Sequence, residues 1–240
     1  MCGRYVLKRK DLEALMEQLG VKDIREFVSR YNIAPSTLIP AIRWSSGDGH
    51  REAVGLQWGL VPAWSKDAKS GARLANARSE SIATKPAFRD AVRKRRCVVP
   101  ASGFYEWQTT GRLKQPWFFQ LRDESPFVFA GLWERWHSAD GVKLETCSLI
   151  TTTPNGIVRP LHDRMPVILR GTSIDRWLDR TIADPAQLAP LLAPLPDEDL
   201  KSTPVSDRVN SVRNDGPECL EPASVIPPSA ESPQLSLGFD

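Results

Sequence analysis

Apolar residues recur along the first part of the chain at two spacings. Leu12, Leu15, Met16 and Leu19 follow the i, i+3, i+4, i+7 rhythm of one helix face, with Asp11 placed to cap the start and Gly20 to end it. Around this helix the pattern is that of strands, over residues 2–7, 39–44 and 53–58. The polar run Ser45-Ser46-Gly47-Asp48-Gly49-His50 predicts a hairpin turn between the last two. Tyr31-Asn32-Ile33-Ala34-Pro35 reads as extended, because of its proline. A second helix is predicted from Thr84, with Pro86 near its first turn and Phe88 and Val92 on one face. Residues 97–101, 103–107, 117–121, 127–133 and 146–152 then predict a β-rich middle joined by short polar loops, and helical patterns at 173–178 and 184–192 close the body. From about Glu221 the chain is rich in Pro and Ser and loses its hydrophobic period, so residues 221–240 are expected to be a disordered acidic tail behind one domain at 2–220.

Charge changes this picture. The formal net charge is +3, yet residues 214–240 hold five acids (Asp215, Glu218, Glu221, Glu231, Asp240) and neither Lys nor Arg; taking away that −5 leaves +8 on residues 1–213. A body so charged favours a polyanionic partner. Within residues 85–96, Lys85, Arg89, Arg93, Lys94, Arg95 and Arg96 stand against the single acid Asp90; a solvated face and a phosphate-contacting face are both open readings. The four cysteines, Cys2, Cys97, Cys147 and Cys219, are too dispersed for paired zinc ligands, and 240 residues do not need a disulfide framework, so they read as reduced cytoplasmic thiols with no metal or cofactor. Lys8, Arg9 and Lys10 interrupt any apolar leader, and no run approaches the ~18 apolar residues of a membrane span.

The candidate chemistry begins at Met1-Cys2-Gly3-Arg4. Removal of Met1 before a small residue would leave cysteine first, with an amine and a thiol on adjacent carbons. Such a pair captures an aldehyde first as an imine and then as a five-membered thiazolidine. Reference pKa values of about 7.7–8.0 for the amine and 8.5 for the thiol leave both partly available near neutrality. Glu106 lies amid Phe104, Tyr105 and Trp107, a setting that raises a carboxyl pKa toward one fit for proton transfer. Of the three histidines, His50 and His137 fall in polar loops, whereas His162 precedes an apolar strand with Arg164 two residues on. Trp58 and Trp64 flank a Gly and a Pro; either both fill the core, or Trp64 is an exposed platform for a base with Lys66 near its phosphate.

Met-Cys-Gly-Arg at the start, Tyr-Asn-Ile-Ala-Pro at 31–35, Trp-Gly-Leu-Val-Pro-Ala-Trp at 58–64, Asn-Ala-Arg-Ser-Glu at 76–80, Gly-Phe-Tyr-Glu-Trp at 103–107 and His-Asp-Arg-Met-Pro at 162–166 together resemble the SRAP family of abasic-site processing proteins. The resemblance implies a single α+β domain whose curved, barrel-like, mainly antiparallel sheet is flanked by helices and carries a positive groove for single-stranded DNA. It implies that Cys2 crosslinks to abasic sites through a thiazolidine, that Glu106 and His162 move the protons, and that Asn76 positions the amine. By the same likeness Arg4, Arg78 and Arg164 bind phosphates and Trp64 stacks on a base. Some relatives carry a second aromatic after that tryptophan, where this chain has Ser65. Residue types alone also allow a thiol peptidase using Cys2, His162 and Glu106, or a non-catalytic single-strand binder. In the tail, Gln234, Leu235, Leu237 and Phe239 are similar to the peptide type that docks on bacterial sliding clamps.

Overall fold

The computed structural model describes residues 2–22, 27–45, 47, 49–111 and 113–223. Gln234, Leu235, Leu237 and Phe239 lie outside the described residues. Strands β1 (Tyr5–Leu7), β2 (Arg30–Ile33), β3 (Leu38–Trp44), β4 (Arg51–Trp58) and β5 (Asn76–Arg78) belong to the first third of the chain. The middle is β6 (Arg96–Ala101), β7 (Gly103–Thr110), β8 (Leu113–Leu121), β9 (Phe127–His137) and β10 (Lys143–Thr152). Short strands β11 (Met165–Pro166) and β12 (Ile168–Leu169) follow, then β13 (Leu200–Pro204). The α-helices are α1 (Arg9–Gln18), α2 (Ala91–Lys94) and α3 (Thr172–Leu178).

Five strands close into a barrel. The hairpin β3–β4 pairs from Leu38 against Gln57 to Trp44 against Arg51, β3 meets β6, and β6 meets β9 from Arg96 against Leu132 to Ala101 against Phe127. Strand β9 runs antiparallel to β10, and β10 returns to β4 in parallel, with Thr146 against Gln57 and Cys147 against Trp58. Closure leaves the barrel no free edge to recruit another chain. A second, antiparallel sheet in the order β13-β8-β7-β1-β2 packs on it. Tyr5 of that sheet reaches into the shared core, edge-on to Trp58 at 5.6 Å and to Phe129 at 5.7 Å between ring centres.

Helix α1 buries the four predicted apolar positions, and Gly20 follows with φ +66°, a left-handed conformation that suits glycine. Its start differs from expectation. Lys8 is the N-cap, and Asp11 lies buried inside the first turn, where a carboxylate meets the positive end of the helix dipole. The helix expected from Thr84 reduces to consecutive turns and the four residues of α2; Pro86 has no N–H to give to a helical ladder, although Phe88 and Val92 are still buried together. Residues 185–192 form a 3₁₀ helix with Pro190 inside it, its first turn capped by Asp184. Strands β8, β9 and β10 run longer than the sequence pattern indicated.

Trp58 and Trp64 part company, one fully buried and the other 69% exposed. The loop between them is held by Trp58 Nε1 donating to Ala75 O, Gly59 N to Cys147 O, Val61 N to Thr146 Oγ1 and Trp136 Nε1 to Ser65 O. Gly59, at φ +134°, and Gly71 press backbone against backbone: a Cβ on Gly71 would come within 2.5 Å of Gly59 O. That contact seats the 3₁₀ turn Ala68–Leu74 beneath the loop that presents Trp64.

Candidate active site

The chain start is laid beside Glu106 by strand pairing. Tyr5 opposes Phe104 on β7, and Tyr105 N donates to Arg4 O at 3.0 Å, so Cys2 and Gly3 continue alongside Glu106. Cys2 is fully buried and Glu106 is 3% exposed. The residues next to Glu106 do not bury it as expected. Successive residues of a strand face opposite ways, so Tyr105 and Trp107 belong to a separate cluster with Val6 and Phe118, while Phe104 shares the main core. Asn76, on β5, completes the enclosure: its Nδ2 donates to Cys2 O at 2.9 Å. Its Oδ1 is buried with no hydrogen-bond partner among the described residues.

Strand β10 brings in the remaining groups. Its end pairs in parallel with β5 and antiparallel with β11, so Asn76 and Arg78 lie on one side of Leu149–Thr151 and the segment after His162 on the other. Arg164 Nη2 donates to Thr151 O at 2.6 Å, and its guanidinium makes a two-point pair with Glu80 at 2.6 and 2.9 Å. Arg164 is only 11% exposed. Arg78, Glu80, Ser81, Lys85, Asp163 and Arg164 line one open cleft of about 500 Å³.

The expected phosphate ligands thus differ in circumstance. Arg78 is exposed, whereas Arg4 gives Nη1 to Asn32 Oδ1 and Val209 O and lies 5.7 Å over the Trp107 ring. Trp64 and Lys66 are exposed together, with Lys69 and Arg73 beyond them. In the basic run 85–96 the two open readings divide: Lys85, Arg89, Arg93 and Lys94 face solvent, but Arg95 pairs with Glu134 and Arg96 is buried, donating to the carbonyls of Val92, Arg93, Trp177 and Asp179. His50 and His137 are exposed, away from these groups. Glu80, Asp163 and Asn32 carry contacts that residue types did not single out. Each lies inside a motif quoted for other members; Asp163 stands between a histidine and an arginine, and Glu80 and Asn32 each stand two residues after an arginine.

Electrostatics separate the two candidate proton carriers, Glu106 and His162. Burial pushes the Glu106 carboxyl up to about 7, held back by the positive charge at the N-terminus and reinforced by Asp163. His162 is lowered from its ordinary value, first by burial and then by that same N-terminal charge, with Asp163 opposing. Near pH 7 the carboxyl is therefore part protonated and the imidazole mostly neutral. Burial, then the nearby Glu106, drives the Cys2 thiol well above its ordinary pKa, so it stays protonated. Among the described residues no group of three or more His, Cys, Asp and Glu is arranged to hold a metal ion. No helix among them is long and apolar enough to cross a membrane.

A small closed barrel thus brings together a buried cysteine near the chain start, a buried carboxyl and an amide, with Arg78 and Arg164 held by the neighbouring strands. The sequence model of the family described as SOS response associated peptidase (SRAP) matches residues 1–212, and the chain belongs to that family. It is 39% identical over 226 residues to the abasic site processing protein YoqW of Bacillus subtilis, covering 92% of this chain and 99% of that one. To the abasic site processing protein HMCES of Gallus gallus it is 33% identical, over 80% of this chain and 66% of that one. A crystal structure of a protein from Bacteroides thetaiotaomicron superposes with a TM-score of 0.82 at 27% identity, covering 92% of this chain and all of that one.

The Glu106 shift has a stability consequence. Because its folded pKa lies above the model-peptide value of 4.5, the native state binds the proton more tightly than the unfolded state. The favourable contribution is complete below about pH 4.5 and is lost as pH rises through about 7, a change of roughly 3 kcal/mol at most. Glu106→Gln removes this dependence. Urea denaturation should find the variant more stable than wild type at pH 8, with the gap shrinking toward pH 5; a gap that is constant across that range would contradict a raised carboxyl.

Proposed function

We propose that this protein processes abasic sites in single-stranded DNA by forming a covalent crosslink through Cys2, after removal of Met1. The observation that carries this reading is the enclosure of Cys2 between Glu106 and Asn76, with Asn76 Nδ2 bound to the Cys2 carbonyl at 2.9 Å. The names of relatives such as YoqW and HMCES support the substrate.

Chemistry follows from the protonation states. The freed amine attacks the aldehyde carbon of the ring-opened sugar, and loss of water leaves an imine. The thiol then adds across the C=N bond, sulfur to carbon and proton to nitrogen, closing the thiazolidine. Amine attack needs a base and the departing hydroxyl an acid, and a carboxyl with a pKa of about 7 serves both in turn. Ring opening needs a proton at the sugar oxygen, the part assigned to His162. A thiol peptidase would instead need Cys2 as a ready thiolate, and complete burial of the thiol opposes that. Arg78 and Lys66 are assigned to phosphates and Trp64 to base stacking; Arg4 and Arg164 act there with their guanidinium groups already partly engaged. The tail residues Gln234, Leu235, Leu237 and Phe239 are assigned to a bacterial sliding clamp, where a flexible tether raises the local concentration of the domain at single-stranded gaps.

Intact-mass spectrometry after incubation with single-stranded DNA carrying one abasic site tests the core of this reading. A stable adduct is expected for chains lacking Met1 and none for Cys2→Ala, while Glu106→Gln should slow formation roughly 10²–10⁴-fold. An equally stable adduct on a chain that keeps Met1 would falsify the thiazolidine. Affinity for intact single strands, measured against salt, should fall with a slope of about 0.7 per phosphate contacted. Arg78→Ala should flatten that slope and Arg164→Ala flatten it less, since Glu80 already meets its charge; equal effects would place both on the DNA. For the tail, a peptide of residues 224–240 titrated into purified clamp should bind and lose binding on Leu237→Ala with Phe239→Ala. Absence of binding at high micromolar concentration would remove the clamp from the proposal.

A further inference from the structure

The His162 ring carries two contacts at one nitrogen. Arg164 N lies 2.9 Å from Nδ1, and Asp163 Oδ1 also lies 2.9 Å from Nδ1. A backbone N–H donates only to an unprotonated nitrogen, and a carboxylate accepts only from a protonated one. The same geometry therefore serves two protonation states. With Nδ1 bare, the Arg164 N–H holds it and the ring proton sits on Nε2. With Nδ1 protonated, Asp163 takes the bond. The ring side chain is 28% exposed, whereas Asp163 is 85% exposed and stands in the cleft with Arg78 and Lys85.

We propose that Asp163 is the positioning residue and solvent-side proton port of His162, holding Nδ1–H so that the ring can deliver the proton on its other nitrogen. The inference rests on the covalent-capture reading and adds a residue to it. In the resting ring Nε2 carries the proton and Nδ1 accepts from Arg164 N. A water proton reaches Nδ1 by way of the exposed carboxylate, and the resulting cation is held by Asp163. The Nε2 proton then passes to the sugar oxygen as its ring opens, leaving a neutral ring protonated at Nδ1 and still bound to Asp163. Nε2 next regains a proton released by the attacking amine, and Nδ1 returns its own to water through Asp163. Proton count and charge close over the cycle.

Charged and titratable groups face the ring from several elements among the described residues. Asp163 and Arg164 come from its own segment, and the chain's α-amine from the N-terminus. Glu106 on β7 lies close enough to interact with both Asp163 and Cys2. Glu80 reaches the ring only through Arg164. Asp163 is thus the acid placed against Nδ1, and it offsets the burial and the N-terminal charge that otherwise keep the imidazole neutral.

The test uses the full chain with Asp163→Asn and Asp163→Glu. Nitrogen-15 NMR of the histidine rings across pH 5 to 8 reads tautomer and charge directly; with three histidines, His162 is assigned by the signal lost in His162→Gln. Wild type should rest with the proton on Nε2. Asp163→Asn should lower the His162 midpoint by about one pH unit, a tenfold loss of proton affinity, and move the alkaline limb of the adduct-formation profile, where rate falls as the ring loses its proton, to lower pH by the same amount. Asp163→Glu should restore part of both. An unmoved midpoint and profile in Asp163→Asn would overturn the proposal, as would a resting ring protonated at Nδ1. If wild type forms no adduct the capture reading fails, and the ring titration still decides whether Asp163 governs His162.

Discussion

Strand β10 is the constraint on which the site depends. It pairs with β9 and β4 along the barrel wall, and those two pairings close the ring. Its last residues run on between β5 and β11, each bound through backbone hydrogen bonds, with Arg164 taking the Thr151 carbonyl as well. Asn76, Arg78 and the His162 segment are therefore held by the same few peptide groups of one rigid strand. The barrel that makes β10 rigid has no edge left to fray, and the ordering of these groups is completed by folding rather than by substrate. Cys2 comes from the opposite direction, carried in by β1, and meets Asn76 at the seam between the two sheets.

That seam imposes opposite perturbations on neighbouring groups. Glu106 and His162 are both moved by burial, and burial disfavours charge on each, so the acid is raised and the base lowered. Two groups that would be oppositely charged in water approach neutrality together. The arrangement weakens any ion pair between them and leaves each free to gain or lose a proton near neutral pH, which is the property acid–base chemistry requires. Under the proposed mechanism a thiol so deeply buried is compatible with reaction, because it adds as the neutral thiol to an imine already formed by the amine.

Much of this was legible in the sequence, and the misreadings share a cause. Periodicity located α1 and the strands because buried faces impose it, and the hairpin over residues 45–50 followed from its turn residues. Glu106 was expected to be raised by its aromatic neighbours; it is raised, yet Tyr105 and Trp107 face a different cluster. Sequence adjacency stood in for a spatial adjacency that the strand pleat forbids. The basic run 85–96 divides for the same reason, since a one-dimensional count of charge does not tell Arg89, in solvent, from Arg96, buried under four carbonyls. Asp215 was counted with the acids of residues 214–240 as a contribution to net charge, with no sign that it binds the backbone of Tyr31 and Asn32 and the side chain of Arg30. Long-range pairs such as Asp215 with β2 or Glu80 with Arg164 leave no local pattern to read.

The same distinction sharpens the electrostatics of the cleft. The net charge of +8 on residues 1–213 already counts Glu52, Glu134 and Glu80, which pair with Arg43, Arg95 and Arg164 at 3.0 Å or less; Asp215, the partner of Arg30, lies outside that range and lowers the charge a polyanion meets. The exposed cations include Lys66, Lys69 and Arg73 near Trp64, Arg78 and Lys85 in the cleft, and Arg89, Arg93 and Lys94. In the proposed complex with DNA, arginines already met by an acid exchange counterions less than the unmatched ones do. The internal pairs therefore fix the barrel and the His162 segment against the ionic strength of the solvent. Under the proposed function the surface cations are the groups that follow a flexible strand past Glu106 and Cys2, whose side chains burial holds toward neutrality.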